Sequence, residues 1–235
     1  MIILEDWQAH HGEIIREFVS DLNKTLNKNS NEFILKGGTA LMLCYGLDRF
    51  SEDIDLDKNK GSGNLLKYVG VYCKQFGYEY RVAKDTSTVK RALINYGGGY
   101  KPLKVEMSMR RKEIPTEEIA TVSGITTYTT DTLAEMKALA YQGRDAIRDL
   151  YDLCYLYNHY KDQITPRTVS MIQRSLSYKG LEQFDYLIHT QEDELIDNEK
   201  LMNDFLNMYD SLGLLYDEDE KKLVDEMTKS TANKL

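Results

Sequence analysis

The chain has 235 residues, of which 42% are hydrophobic and 29% charged, and its formal net charge is −8 at pH 7. This composition is typical of a soluble globular protein with one large domain or two small ones. The negative charge argues against a general nucleic-acid binder, because neutralising phosphates requires clustered lysine and arginine, although it leaves room for a local basic groove.

Hydrophobic runs and cysteines give the expected compartment. No run of 18 apolar residues occurs, so we expect no transmembrane helix, and the N-terminal segment lacks the pattern of a secretory signal. Cys44, Cys73 and Cys154 lie far apart without a CxxC pair, which predicts reduced thiols and neither a disulfide framework nor a zinc site. We therefore expect a cytoplasmic protein that does not contact a membrane.

The N-terminal region is expected to be helical. Apolar residues recur at helical spacing through residues 4–28, which predicts one or two amphipathic helices. His10 and His11 are adjacent and would point about 100° apart on a helix, so we interpret them as surface histidines and not as ligands. The apolar run at residues 33–35 then suits a buried strand.

A pair of glycines follows this strand. Gly37 and Gly38 come directly after Lys36, and apolar residues at helical spacing follow, with Thr39 as the expected N-cap. Exposed backbone N–H groups at a helix N-terminus form an anion site suited to a triphosphate. We therefore expect this turn to bind phosphate.

Charged and apolar residues alternate at positions 53–57, as in a strand. Asp53, Asp55 and Asp57 would then share one face, with neighbours roughly 6.5–7 Å apart. Such carboxylates repel each other, and two of them can share Mg²⁺. A phosphate-binding turn followed by a carboxylate pair predicts a metal-dependent nucleotidyl-transfer site. The alternative is a solvated edge strand beside an acidic turn.

This stretch resembles the opening motif of the DNA polymerase β-type nucleotidyltransferase superfamily, a Gly-Gly/Ser turn followed by Asp-x-Asp. The longer string, with Gly46, Arg49 and Ser51 in order, is more narrowly similar to the AbiEii group, the nucleotidyltransferase toxins of type IV toxin–antitoxin and abortive-infection systems. The resemblance implies Mg²⁺ (or Mn²⁺) at Asp53 and Asp55. It also implies nucleotide-binding roles for Lys36, Gly37, Gly38, Thr39, Arg49 and Ser51.

The next segments predict a helix and three strands. The helix covers residues 64–76 and the strands cover 78–83, 88–95 and 103–109, with a glycine-rich hairpin turn at 97–99. In the superfamily, a third acidic residue on a neighbouring strand helps to hold the metal and can take the proton of the acceptor hydroxyl. The resemblance implies this role for Glu106. The alternative is a rim glutamate paired with Lys104 or Arg110.

Residues 110–123 are polar and irregular and mark the expected boundary between domains. A short strand at 125–128 should lead into a helix capped by Thr130 or Asp131. We predict an α+β fold: a nucleotidyltransferase domain at residues 1–125, with a mixed sheet flanked by helices, and a helical bundle at 126–235. The resemblance implies the helical character of this second half.

Two helices with a break at Gly143 are predicted between residues 131 and 160, and further helices at 166–178, 180–189 and 195–230. The AbiEii group carries a similar string of a lysine in a helix, then Arg…Arg-Asp-x-x-Asp-Leu. The resemblance implies catalytic roles for Lys137 and Asp149 and nucleotide binding by Lys137, Arg144, Arg148 and Asp152. A lysine would meet the triphosphate as a point charge and an arginine as a fork. The alternative is surface salt bridges at i,i+4 spacing.

Two classes of function follow. The first is an enzyme that moves a nucleoside monophosphate from an NTP to an acceptor hydroxyl; the resemblance suggests RNA, and tRNA in particular, as acceptor and a cognate antitoxin as partner. A protein hydroxyl as acceptor would use the same site. The second is a non-catalytic nucleotide-binding or antitoxin-docking module with the same fold.

Overall fold

The computed structural model describes residues 5–28 and 30–215. The chain divides into two compact units, the first up to Thr129 and the second from Thr130 onward. The sequence-based division at residue 125 falls within the last strand of the first unit. That strand is hydrogen-bonded to the strand at Phe33–Lys36, and this pairing holds it in the first unit.

The first unit is built around a seven-stranded mixed sheet. The strands are β1 Phe33–Lys36, β2 Ile54–Lys58, β3 Glu79–Asp85, β4 Val89–Asn95, β5 Leu103–Ser108, β6 Ile119–Val122 and β7 Ile125–Tyr128; the helices are α1 Asp6–Leu26, α2 Gly37–Cys44 and α3 Leu65–Phe76, with a 3₁₀ turn at Thr116–Glu118. The strand order is β3-β4-β5-β2-β1-β7-β6. The β2–β5 and β1–β7 pairs are parallel and the remaining pairs are antiparallel. This architecture confirms the predicted mixed sheet with flanking helices.

Alternation along the central strands separates an apolar face of the sheet from a polar one. On β2, Ile54 and Leu56 are buried, and on the adjacent β5, Val105 and Met107 are buried beside them. Residues two apart on a strand project the same way, so the intervening acidic residues lie together on the opposite face. This division places the polar side chains of β2 and β5 on a single surface.

The segment predicted as irregular contains a strand. β6 pairs with β7 through a tight turn at Ser123 and Gly124, both of which have positive φ (51° and 80°). A two-residue turn with positive φ at both positions matches the twist of a β-hairpin. Serine rarely adopts positive φ, so the sequence did not indicate a hairpin turn at this position.

The second unit is helical. It comprises α4 Thr130–Gly143, α5 Ile147–Tyr160, α6 Pro166–Thr190 and α7 Asn198–Ser211, with a 3₁₀ turn at Lys161–Gln163. The break after Gly143 is confirmed, and so are the two helices predicted at 166–178 and 180–189, because the span of α6 consists of two helices separated by a kink at the non-helical Gly180 (φ 71°). The part of the predicted 195–230 helix beyond residue 215 lies outside the described residues. Within those residues, no helix is both long and apolar enough to cross a membrane.

Candidate active site

A row of charged side chains crosses the polar face of the sheet at its centre. Asp55 on β2 lies directly opposite Lys36 on β1 and Glu106 on β5. Asp53 immediately precedes β2 and is two residues from Asp55. Because directly opposed residues have side chains on the same face, the parallel pairing of β2 with β5 brings Glu106 beside Asp55.

Cations compensate part of this negative charge. Lys104 Nζ lies 2.5 Å from Asp53 Oδ2, and the Arg91 guanidinium pairs with the Glu106 carboxylate. Burial raises the pKa of the Asp55 carboxyl; Lys104 acts to lower that pKa, and the charges of Asp53 and Glu106 raise it further. The three carboxylates therefore interact electrostatically, and the ionised form of Asp55 is disfavoured.

Asp57 has a different environment, although the sequence placed it on the same face. Its side chain is 4% exposed, Lys36 Nζ lies 2.5 Å from Oδ1, and the Tyr128 hydroxyl donates a hydrogen bond to Oδ2 over 2.8 Å. A buried carboxylate with a cation and a hydrogen-bond donor is already compensated. The structure therefore separates Asp57 from the group formed by Asp53, Asp55 and Glu106.

The glycine turn lies against these carboxylates. Gly37 has φ +73°, and a Cβ atom there would be 3.5 Å from Asp55 Oδ2. A Cβ atom at Gly38 would be 2.8 Å from both Arg49 Nη2 and Ser51 Oγ. Glycine is required at the first position by its backbone conformation and at the second by space. α2 begins at once, so its first backbone N–H groups lie next to Asp55.

The expected capping role of Thr39 is wrong. α2 begins at Gly37 with Lys36 as its N-cap, because two glycines allow the chain to turn directly out of β1. The Thr39 hydroxyl lies 2.9 Å from Ser51 Oγ and donates a hydrogen bond to the Asp53 carbonyl. Arg49 is buried and donates to the Phe50 carbonyl over 3.0 Å. These side chains join α2 to the segment that leads into Asp53.

His11 is buried, so the interpretation as a surface histidine is wrong for it. Its Nε2 lies 2.8 Å from the Glu52 carbonyl, which can only accept, so Nε2 carries the proton. Nδ1 then accepts from the Tyr96 hydroxyl over 2.5 Å. Burial lowers the pKa of His11. The burial of His11 was indicated in the sequence by its position in the apolar series of α1, three residues before Ile14.

In the second unit, Lys137 bridges two helices. Its Nζ lies 2.9 Å from Asp149 Oδ1 and 2.6 Å from Asp152 Oδ2, and both aspartates lie on α5. Arg144, in the connection between α4 and α5, places Nε 2.6 Å from Asp149 Oδ2. Burial acts to raise the pKa of Asp149, but hydrogen bonds from Arg144 and Lys137 outweigh it and lower that pKa. The alternative of surface i,i+4 pairs is wrong for this cluster, because both aspartates are buried and their cations come from other elements.

Arg148 pairs with a carboxylate outside this cluster. Its guanidinium forms a bidentate pair with Asp193, in the segment before α7, with Nη2 3.1 Å from Oδ1. The sequence placed Arg148 with Lys137 and Arg144 on one face. The connection between α4 and α5 interrupts that face, so Arg148 belongs to the next helix.

The donor chemistry of the first unit fits a hard divalent cation. Among the described residues, no three His, Cys, Asp or Glu side chains are already arranged around one metal position. Asp53, Asp55 and Glu106 nevertheless supply oxygen atoms, the ligands that Mg²⁺ prefers. Burial and, after it, the charges of Asp53 and Glu106 raise the pKa of Asp55, and a bound cation would offset this cost of ionisation.

The sequence model of a known family matches most of the chain: the nucleotidyl transferase AbiEii toxin of type IV toxin–antitoxin systems matches residues 21–225. The chain belongs to the AbiEii nucleotidyltransferase toxin family. It is therefore a nucleotidyltransferase, which confirms the enzyme prediction. Membership of an AbiEii toxin–antitoxin family also implies a nucleotide substrate and a cognate antitoxin.

Solved structures agree with this assignment. The crystal structure of JHP933 from Helicobacter pylori is 26% identical, with a TM-score of 0.72, and the match covers 98% of each chain. MenT4, the nucleotidyltransferase toxin Rv2826c from Mycobacterium tuberculosis, is 15% identical with a TM-score of 0.56, covering 93% of this chain and 87% of that one. At that identity MenT4 supports the fold only. Among curated protein sequences, none matches this one.

Proposed function

We propose that this AbiEii protein transfers a nucleoside monophosphate from an NTP to a hydroxyl group of RNA, tRNA in particular, in a reaction that depends on Mg²⁺ or Mn²⁺. The observation that carries the proposal is the row of Asp55 and Glu106 on adjacent parallel strands, with the Gly37 turn beside Asp55. Both features lie within one unit of the fold, and they support the proposal that a phosphate-binding turn adjoins the ligands of a cation.

In the proposed reaction, the acceptor hydroxyl oxygen forms a bond to the α-phosphorus of the NTP. The bond between that phosphorus and the oxygen leading to the β-phosphate breaks, and pyrophosphate leaves with the electron pair. Glu106, as the carboxylate beside Asp55, takes the proton of the hydroxyl. Asp53, Asp55 and Glu106 would hold the divalent cation, which when bound neutralises charge on the phosphate oxygens.

The backbone N–H groups at the start of α2 would bind the triphosphate, since no side chain at Gly37 or Gly38 blocks access to them. Lys36, one residue earlier, would contribute positive charge that it shares with Asp57. Thr39 and Ser51, with Arg49 behind them, fix the turn against the Asp53 backbone. These roles are our proposal for the nucleotide-binding residues of the first unit.

The predicted site residues of the second unit form ion pairs with one another or with a nearby aspartate. Lys137, Arg144, Asp149 and Asp152 form one ion-pair cluster, so a contact of Lys137 with the triphosphate requires that it share its charge with two aspartates. Catalytic roles for Lys137 and Asp149, and nucleotide contacts by Arg144, Arg148 and Asp152, stay predictions of the family resemblance. We also propose that the protein acts in the cytoplasm, where thiols stay reduced; its three cysteines are free.

Transfer of label tests the function. The protein is incubated with each of the four α-labelled NTPs, Mg²⁺ and either total RNA or total protein, and label in the acceptor is measured. We expect label in RNA, none in the Asp55→Asn variant, and wild-type transfer in the matched control Asp85→Asn, which removes an exposed acid of β3. Label in protein would identify a protein hydroxyl as acceptor, and absence of label from both would contradict the proposal.

A further inference from the structure

The row of charges at the candidate site continues across the sheet to its edge. Glu106 on β5 lies opposite Arg91 on β4, and Arg91 lies opposite Lys84 on β3. The row across the five strands β1, β2, β5, β4 and β3 is therefore one cation, two carboxylates and two cations: Lys36, Asp55, Glu106, Arg91 and Lys84. The carboxylates therefore have a glycine turn on one side and cations on the other.

A second row runs beside the first. Lys104 on β5 lies opposite Leu93 on β4, which lies opposite Arg81 on β3. The shared register places these side chains on the same face as Glu106. We call the four cations Lys104, Arg91, Arg81 and Lys84 the basic strip; Glu79 lies at its far end, opposite Asn95.

The two halves of the basic strip differ in how their charge is used. Lys104 and Arg91 form ion pairs with Asp53 and Glu106, next to the candidate site. Arg81 and Lys84 lie on the edge strand and are exposed, and among residues 5–28 and 30–215 neither has a carboxylate partner. Exposed cations without a partner keep their charge for a ligand.

The opposite face of the edge strand is occupied by a helix. Tyr80 projects there: a Cβ atom at Gly70 of α3 would be 2.8 Å from its hydroxyl. Because successive residues of a strand point to opposite faces, Arg81 points away from α3. A register shift between Val82 and Lys84 interrupts the alternation, and the pairing of Lys84 with Arg91 places Lys84 on the same face as Arg81. The cations of β3 are thus presented on the face that carries Asp55.

We propose that the basic strip binds the phosphate backbone of a single-stranded RNA segment that ends at the acceptor hydroxyl. The inference rests on the proposed function and adds the surface that the acceptor follows. Strands lie about 4.8 Å apart, so Lys84 is three steps, or about 14 Å, from the strand of Asp55. A cationic track leading away from the side of Glu106 suits a polyanion whose terminal hydroxyl must meet that carboxylate.

The charge of the whole protein makes the strip selective. At −8 the chain repels polyanions in general. A local group of four cations beside the site then determines where RNA binds, because phosphate neutralisation supplies most of the affinity for nucleic acid. On the other side of the carboxylates, the turn at Gly37 is left for the triphosphate.

The test measures binding of a fluorescein-labelled 12-nucleotide oligo(U) RNA by anisotropy between about 50 and 200 mM salt. The double variant Arg81→Gln/Lys84→Gln is compared with Lys67→Gln/Lys74→Gln, which removes two exposed lysines from α3. Losing two phosphate contacts should reduce the slope of log K against log salt by about 1.4 and weaken binding about 25-fold near 0.1 M salt. The control should bind as the wild type does, and the thermal shift produced by NTP with Mg²⁺ should be the same in all three proteins.

The outcomes separate this inference from the proposed function. If the wild type binds RNA and the strip variant shows the reduced salt slope, RNA binding by the basic strip is supported. If the wild type in addition transfers no nucleotide to RNA, only the proposed function fails. Transfer to RNA by the wild type, with strip and control variants equal in RNA affinity and in KM for RNA, overturns the strip and leaves the function standing. A wild-type protein that does not bind the oligonucleotide also overturns the strip.

Discussion

Replacing Lys137 with alanine should destabilise the second unit strongly. The Lys137 side chain is 12% exposed, and its two partners Asp149 and Asp152 are 2% and 0% exposed. The substitution leaves two buried carboxylates with one positive partner fewer. Removing one partner of a buried ion pair costs about 3–5 kcal/mol. We therefore expect the free energy of unfolding to fall by about that amount.

Urea unfolding followed by far-UV circular dichroism measures this change. Arg144→Ala is the comparison variant, because Arg144 also pairs with Asp149 but its side chain is 68% exposed and Asp149 keeps Lys137 as a partner, so its loss should cost less than that of Lys137. In a Lys137→Met background, adding Asp152→Asn should restore part of the lost stability, because it removes an uncompensated buried charge.

Two results would refute this reasoning. One is a loss below about 1 kcal/mol for Lys137→Ala, within the range of exposed pairs. The other is a further loss when Asp152→Asn is added. NTP binding, measured at a temperature where wild type and variant are both folded, then separates the two roles of Lys137. A folded Lys137→Ala protein with weakened NTP binding, poorly rescued by Lys137→Arg, would support the predicted contact with the triphosphate.

Three further changes have defined outcomes. Gly38→Ala should lower the free energy of unfolding by about 1–3 kcal/mol in urea titrations and reduce nucleotide transfer, because its Cβ would meet Arg49 and Ser51 at 2.8 Å. Asp55→Asn should leave the melting temperature without metal level or higher, since it removes a buried, repelled charge; a clear fall would contradict that. His11, with its lowered pKa, binds protons more readily when unfolded, so stability should decline as pH falls below about 6.5 by up to about 1.4 kcal/mol per unit. His11→Gln should remove this component from the difference between the two pH profiles.

Local pattern was sufficient to predict the central site elements. The alternation at residues 53–57 gives a strand in any soluble protein, and two glycines before an apolar helical run give a tight turn. What alternation could not supply was the identity of neighbouring strands. Glu106 lies beside Asp55 because β5 runs parallel to β2, and that pairing is decided by the packing of the whole sheet.

Local sequence pattern also could not predict the ion-pair partners of Asp57 and Arg148. Asp57 is compensated by Lys36 and Tyr128, which lie 21 and 71 residues away along the chain. Arg148 finds its partner 45 residues later. Contacts at such separations depend on tertiary structure and leave no periodic signal. His11 is the opposite case, since its position in the apolar series of α1 already indicated burial.

The most direct test of the central claim compares NTP labelled at the α-phosphate with NTP labelled at the γ-phosphate, in the presence of Mg²⁺ and RNA. We predict that wild-type protein transfers the α-label to RNA and releases the γ-label as pyrophosphate, and that Asp55→Asn does neither. Transfer of the γ-label, or undiminished transfer of the α-label by Asp55→Asn, would contradict nucleotidyl transfer at the carboxylates of β2 and β5.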